Sequence, residues 1–209
     1  MALNDKTLIF LGSSVTHGGG GWSMCEFLHE TLGCTVVKWA VPGTTLATAR
    51  PNSYVERFSA HLDAQPVCDQ FICQLSTNDA TMHSTIALGA VSASFDPADF
   101  HTDTIVGAME FIIGTAKARW NCRVAFYTGA YFISERYDAE KYQQMVDLLY
   151  VLAEKWDIDV IDMWNDAEMR AVTPEVRGKY MNDEIHPNRT GYSEWWGPKF
   201  TAYVKARLG

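Results

Sequence analysis

The chain has 209 residues, 47% of them hydrophobic, and a formal charge of -8 with no run of Lys or Arg. That length suits one globular domain over residues 1–209, and the charge argues against a nucleic-acid or anionic-membrane surface, which needs clustered positive residues. The opening "MALNDKTLIFLG" lacks a basic leader region and no apolar run approaches a membrane span. Cys25, Cys34, Cys68, Cys73 and Cys122 show no C-x-x-C spacing, so the expectation is a cytoplasmic protein with reduced thiols and neither disulfides nor a zinc site.

The first predicted strand, Thr7–Leu11, runs straight into Gly12 and two adjacent serines, Ser13 and Ser14, followed by the glycines Gly18 to Gly21. A phosphate-cradling loop would need Gly-x-x-x-x-Gly-Lys-Ser/Thr, and here Trp22 follows the glycines with no lysine near. A dinucleotide fingerprint fails as well, since the Gly-x-Gly-x-x-Gly spacing is missing and no acidic residue closes the second strand, Thr35–Trp39. By itself the run reads as a turn into a helix carrying Met24, Phe27, Leu28 and Leu32. The third strand is predicted over Gln70–Leu75. An unpatterned connection over 78–103 follows, with His83, a Ser/Ala-rich middle and "DPAD".

Ile105, Ala108/Met109, Ile112/Ile113 and Ala116 recur at helical spacing, and so do Tyr142, Met145/Val146, Leu149, Leu152/Ala153 and Trp156. They flank a fourth strand, Arg123–Tyr127, and a fifth, Asp159–Asp162, follows. The last helical pattern carries Tyr192, Trp195/Trp196, Phe200 and Tyr203/Val204, with Gly197 and Pro198 expected to kink or split it. Short apolar runs alternating with helical segments predict a parallel sheet covered by helices on both faces. Trp39, Trp156 and Trp196 read as core residues, and Trp22 stands out beside the glycine turn. His83 and His101, with Asp99 or Asp103, match no metal-ligand spacing.

Ahead of the last helix, "NDEIHPNRTGY" places Asp183 three residues before His186 and a proline directly after it. Pro187 disfavours helical geometry at His186, so the pair sits on a loop, with Asn188 or Thr190 free to cap the next helix. A serine hydroxyl is a weak nucleophile at neutral pH and needs a base such as imidazole, which works best when a carboxylate fixes its tautomer. His17 is close to Ser14 in sequence, but its direction is set by the first helical turn. Asp79 reads as a loop-bonding Asx residue and Asp162 as a turn or cap residue.

Four separated blocks resemble the SGNH hydrolases, the GDSL-type esterases and lipases. Gly12-Ser13-Ser14-Val15-Thr16-His17-Gly18 resembles Gly-Asp-Ser-x-x-x-Gly, with Ser13 where the family has aspartate. Gly43 in "WAVPGTTL" resembles the second block. Ser76-Thr77-Asn78-Asp79 resembles Gly-x-Asn-Asp, with Ser76 in place of glycine, and Asp183 to Pro187 resembles Asp-x-x-His-Pro.

The resemblance implies a flavodoxin-like three-layer α/β/α sandwich with a five-stranded parallel sheet. It implies Ser14, Asp183 and His186 as the catalytic residues, with the Ser14 and Gly43 N–H groups and the Asn78 amide as oxyanion donors. No cofactor or metal is implied. The expected activity is hydrolysis of short-acyl carboxylic esters, with O-acetyl groups on carbohydrate among the candidates. A lysophospholipase or lipase-type esterase is the alternative within the enzymes, and a non-catalytic binding module on the same fold, suggested by Ser13 and Ser76, the alternative outside them. The stretch from Thr81 to Phe95 gives no defined apolar face of the kind a lipase lid needs.

Overall fold

A computed structural model of the protein describes residues 3–171 and 173–209. Five parallel strands, β1 (Thr7–Gly12), β2 (Thr35–Ala40), β3 (Gln70–Gln74), β4 (Arg123–Tyr127) and β5 (Asp159–Ile161), form one sheet in the order β2-β1-β3-β4-β5. β1 is an interior strand, pairing Leu11 with Trp39 of β2 on one side and with Cys73 of β3 on the other. The chain runs one way from β1 to β2 and the other way from β3 onward. In such sheets the carboxyl ends of the strands beside that switch point open a crevice.

Strand alternation divides the core in two. Ile9, Leu11, Phe71, Cys73, Val124 and Phe126 face α3 (Tyr54–His61), α4 (Ile105–Trp120) and α5 (Ala139–Trp156). Leu8, Phe10, Ile72, Ala125 and Tyr127 face α2 (Met24–Leu32) and α8 (Gly197–Leu208), the latter preceded by the short α6 (Ala167–Arg170) and α7 (Pro174–Tyr180). The result is the expected three-layer α/β/α sandwich. Ser23 and Glu26 close a capping box at the start of α2, and Ser53 and Glu56 close another on α3, a helix that the sequence pattern left unassigned.

Four strand ends differ from expectation by one residue: β1 and β2 run on to Gly12 and Ala40, and β3 and β5 stop short. β3 ends at Gln74, although the Leu75 N–H still donates to the Tyr127 carbonyl at 2.8 Å. β5 ends at Ile161 because the Asp162 carboxylate draws the chain into a turn, accepting from Thr128 Oγ1, Tyr150 Oη and Asn165. The last helix is indeed split. Residues Gly191–Trp196 form a π-helical turn and α8 begins at Gly197, with Pro198 in its first turn. Proline has no N–H to continue the preceding ladder, and the wider turn absorbs that break. A Cβ on Gly197 would lie 2.4 Å from Phe27 Cδ1, so the glycine lets α8 approach α2.

The 78–103 connection is largely irregular, with short 3-10 turns at Thr77–Ala80 and Pro97–Asp99, yet it sends Ile86 and Phe100 into the core. Lys155 fastens it, donating to the Ser92 and Ser94 carbonyls and to the buried Glu110 carboxylate. Trp156 and Trp196 are buried and Trp39 packs on the core. Among the described residues no helix is long and apolar enough to cross a membrane.

Candidate active site

The end of β1 feeds a tight turn into α1 (Ser14–His17), and one buried side chain of β3 shapes it. Gln74 Oε1 accepts from the Ser13 N–H at 3.0 Å, the Thr16 N–H at 3.3 Å and Thr16 Oγ1 at 2.9 Å. Thr16 Oγ1 also lies 2.6 Å from Tyr127 Oη. A Cβ on Gly12 would sit 1.7 Å from Thr16 Oγ1, so no larger residue fits at the strand end. The Tyr192 hydroxyl, from the π-helical turn, donates to the Val15 carbonyl at 2.8 Å. The His17 and Gly18 N–H groups close back on the Ser13 and Ser14 carbonyls.

This pinning points the two serines differently. Ser13 is fully buried against Gln74, whereas Ser14 is half-buried and reaches the surface cleft.

The Asp183–His186 loop lies across from that turn. His186 Nε2 stands 2.7 Å from Ser14 Oγ, and His186 Nδ1 stands 2.8 Å from Asp183 Oδ2. Asp183 Oδ1 also accepts the Ile185 and His186 N–H groups, both at 2.9 Å, so the loop folds around its own carboxylate. Burial raises the Asp183 carboxyl, but the His186 ring and the two N–H donors outweigh it and hold the group below its ordinary range. Arg136 adds positive charge 3.7 Å from Asp183 Oδ2 while pairing with Glu184. Asn188 Oδ1 accepts the Gly191 N–H at 2.9 Å and thereby caps the following turn; Thr190 makes no side-chain cap.

The second and third blocks meet each other beside Ser14's strand. Gly43 adopts φ 77° in the exposed loop after β2. The Asn78 amide donates to the Thr44 carbonyl at 2.9 Å, and the buried Asp79 carboxylate accepts the Leu46 and Ala47 N–H groups at 2.7 and 3.1 Å. Asp79 is therefore a loop-holding residue, as its position suggested. Burial pushes its carboxyl upward against those hydrogen bonds.

Ser14, Asp183 and His186 border a cleft of about 260 Å³ together with Gly18, Gly19, Pro42 and Tyr192. His17 does not reach Ser14: its Nδ1 lies 2.9 Å from the Gly18 carbonyl. Trp22 is outside the cleft lining, packed between Phe27 and Tyr192, with the Arg189 guanidinium 3.9 Å over its ring. Among the described residues no group of three or more His, Cys, Asp or Glu comes together in a metal-binding arrangement, His83 and His101 included. A larger cavity of about 410 Å³, between the 78–103 connection and α4, holds none of the Ser14–His186–Asp183 set.

Gln74, Tyr192 and Lys38 escaped the sequence reading. Lys38 donates to the His17 and Gly21 carbonyls and to Glu26, tying down both ends of the glycine run. A glutamine directly after the apolar run Phe71–Cys73 was the one available signal for Gln74.

Residues 10–193 match the GDSL-like Lipase/Acylhydrolase family. No curated protein sequence matches the chain. Solved structures of similar fold include the lipase/acylhydrolase from Enterococcus faecalis, at 16% identity and TM-score 0.69, covering 98% of this chain and 97% of that one. The inhibitor-bound aryl esterase of M. smegmatis aligns at 13% identity and TM-score 0.71, over 97% of this chain and 100% of that one. A carbohydrate acetylesterase family member from Sinorhizobium meliloti aligns at 15% and 0.68, over 98% and 99%.

Proposed function

The chain belongs to the GDSL-like lipase/acylhydrolase family of ester-bond hydrolases, and from that premise we propose that it is a short-acyl carboxylesterase working through Ser14, His186 and Asp183. The observation that carries this reading is the continuous hydrogen-bonded line from Ser14 Oγ through the His186 ring to the Asp183 carboxylate. His186 Nε2 takes the Ser14 proton as Oγ attacks the ester carbonyl, then gives it to the departing alcohol. Asp183 fixes the tautomer and stabilises the imidazolium that forms. A water molecule repeats the sequence on the acyl-enzyme and releases the acid.

The oxyanion formed in both steps falls to the Ser14 and Gly43 N–H groups and the Asn78 amide. Among the described residues the Ser13 and Thr16 N–H groups are committed to Gln74, whereas the Ser14 N–H has no protein acceptor and is available to the oxyanion. Such donors favour the charged intermediate over the neutral ester, and that difference lowers the barrier.

Short acyl groups, acetyl to about butyryl, fit the modest cleft better than long chains, which need an extended apolar wall. Residues 81–95 form no helix that could act as an apolar lid. O-acetyl groups on carbohydrate are the substrates we favour, in keeping with the acetylesterase of similar fold. A lipase-type reading draws on a groove of about 650 Å³ beside Asn182 and Asp183, rimmed by the exposed Ile133. Assaying acetylated sugars against lysophospholipid and simple esters separates the two: turnover confined to the lipid would overturn the acetylesterase reading.

A further inference from the structure

Arg57 lies on α3, where an amphipathic pattern makes a charged residue look solvent-facing, yet it is only 6% exposed. Its guanidinium points under the site. Nη2 donates to the Gly12 carbonyl at 2.7 Å, and Nη1 donates to Thr44 Oγ1 at 3.0 Å and to the Asn52 carbonyl. Every one of these acceptors is neutral, and among the described residues Arg57 forms no ion pair. Burial pulls its pKa below the ordinary arginine value, though a guanidinium stays charged at neutral pH. A buried cation without a carboxylate partner is expensive to keep in a fold. Its placement therefore needs a reason beyond holding α3 down.

The acceptors supply that reason. Gly12 immediately precedes the serine pair, and Thr44 immediately follows Gly43. Thr44 is a junction: its hydroxyl accepts from Arg57 and donates to the Val41 carbonyl at 2.7 Å, while its carbonyl accepts the Asn78 amide. A single planar fork thus reaches both backbone segments that carry the proposed oxyanion N–H groups, and one of its partners also holds Asn78. A guanidinium presents donors at fixed separation, which a lysine ammonium cannot do.

We infer that Arg57 is a positioning residue for the oxyanion pocket, setting the Gly43–Thr44 loop against the Gly12–Ser14 turn through its hydrogen bonds to Gly12 and Thr44. The inference rests on the oxyanion reading above. Small errors in donor placement weaken the transition state while leaving ester binding nearly untouched, so the effect belongs in kcat.

The test uses p-nitrophenyl acetate kinetics on Arg57→Lys, Thr44→Val, the double variant and Asn78→Ala, with active sites counted by stoichiometric reaction with a phosphonate. Arg57→Lys is expected to lower kcat per titrated site at least about tenfold, with KM within about twofold of the parent. Thr44→Val should show the same pattern. The double variant should be no worse than its more damaged parent, because both changes remove one interaction. A purely structural arginine would lower thermal stability and the number of titratable sites while leaving kcat per site intact, and that result overturns the inference. Losses that multiply in the double variant overturn it too. If Arg57→Lys does not fold, Thr44→Val decides alone, and unimpaired kcat there counts against the proposal. Asn78→Ala separates the two levels: undiminished turnover in that variant overturns the oxyanion reading itself, whereas an impaired Asn78→Ala beside an intact Arg57→Lys overturns only the role of Arg57.

Discussion

Ser13 and Ser14 are neighbours in the chain with opposite surroundings. Ser13 is fully buried with its N–H on Gln74, while Ser14 Oγ lies 2.7 Å from His186 Nε2 at the edge of the cleft. Ser14→Ala should abolish ester turnover, whereas Ser13→Ala should keep a substantial part of it, since the backbone N–H that shapes the turn remains. Steady-state rates on a short ester check this. An inactive Ser13→Ala beside an active Ser14→Ala, both folded, would reverse the assignment.

His186→Ala should cost nearly as much as Ser14→Ala, and Asp183→Ala less, because orienting a base contributes less than being one; losses of roughly 10⁴–10⁶-fold are the usual scale for triad members. The pH profile is more diagnostic. Protonated imidazole cannot accept the Ser14 proton, so kcat/KM falls as pH falls. Asp183 is held below the ordinary carboxylate range, so its carboxylate is already ionised over the acid limb. The acid limb should therefore show one proton, a slope of about 1 in log kcat/KM against pH. A slope near 2 would mean that the Asp183 carboxylate titrates with the ring.

The same shift has a sign for stability. A carboxyl lowered on folding stabilises the native state above its unfolded pKa and loses that contribution as pH falls through the folded value. Asp183→Asn should accordingly lower thermal stability at neutral pH, with the gap to the parent closing in strong acid. A gap that is constant down to the acid transition would contradict the assignment.

Strand positions were readable because four of the five strands are short and strongly apolar, and the Asp183–His186 loop was readable because Asp183, His186 and Pro187 fall within one short stretch of sequence. The supports were not. Gln74 acts on Ser13 and Thr16 some sixty residues away through backbone atoms, and Arg57 sits on a short helix where its charge resembles a solvated face. α3 itself was passed over because its apolar positions, Tyr54, Val55 and Phe58, span little more than one turn. The split at Gly197 was foreseeable from proline chemistry, although the π-helical turn over Gly191–Trp196 that absorbs it was not.

Gly12→Ala should destabilise the fold, since its Cβ would meet Thr16 Oγ1 at 1.7 Å and Gln74 Oε1 at 2.8 Å. Overpacking of this kind costs about 1–3 kcal/mol, or roughly 2–12 °C in Tm for a chain of this size. Gly19→Ala, where a Cβ meets nothing within 4 Å, is the matched control and should leave Tm unchanged. Equal melting temperatures for the two variants would mean that the turn is looser than its hydrogen bonds imply.

Chain-length preference tests the substrate reading. Each buried methylene contributes about 0.8 kcal/mol, so a long apolar tunnel would make catalytic efficiency climb steeply with acyl length. Here the climb should end by about butyryl, given the cleft around Ser14. p-Nitrophenyl esters from acetate to palmitate, assayed below their micellar concentrations, measure it. A maximum at octanoate or beyond would favour the groove beside Ile133 as an acyl site.

The central claim is that Ser14 is the nucleophile of an ester hydrolase, and covalent labelling tests it most directly. The folded protein is treated with a serine-reactive phosphonate, assayed for residual esterase activity, digested and mapped by mass spectrometry. One adduct per chain on Ser14, formed in step with loss of activity and absent after His186→Ala, is the predicted result. An adduct on Ser13, or an intact folded protein that neither reacts nor hydrolyses any ester offered, would contradict the account.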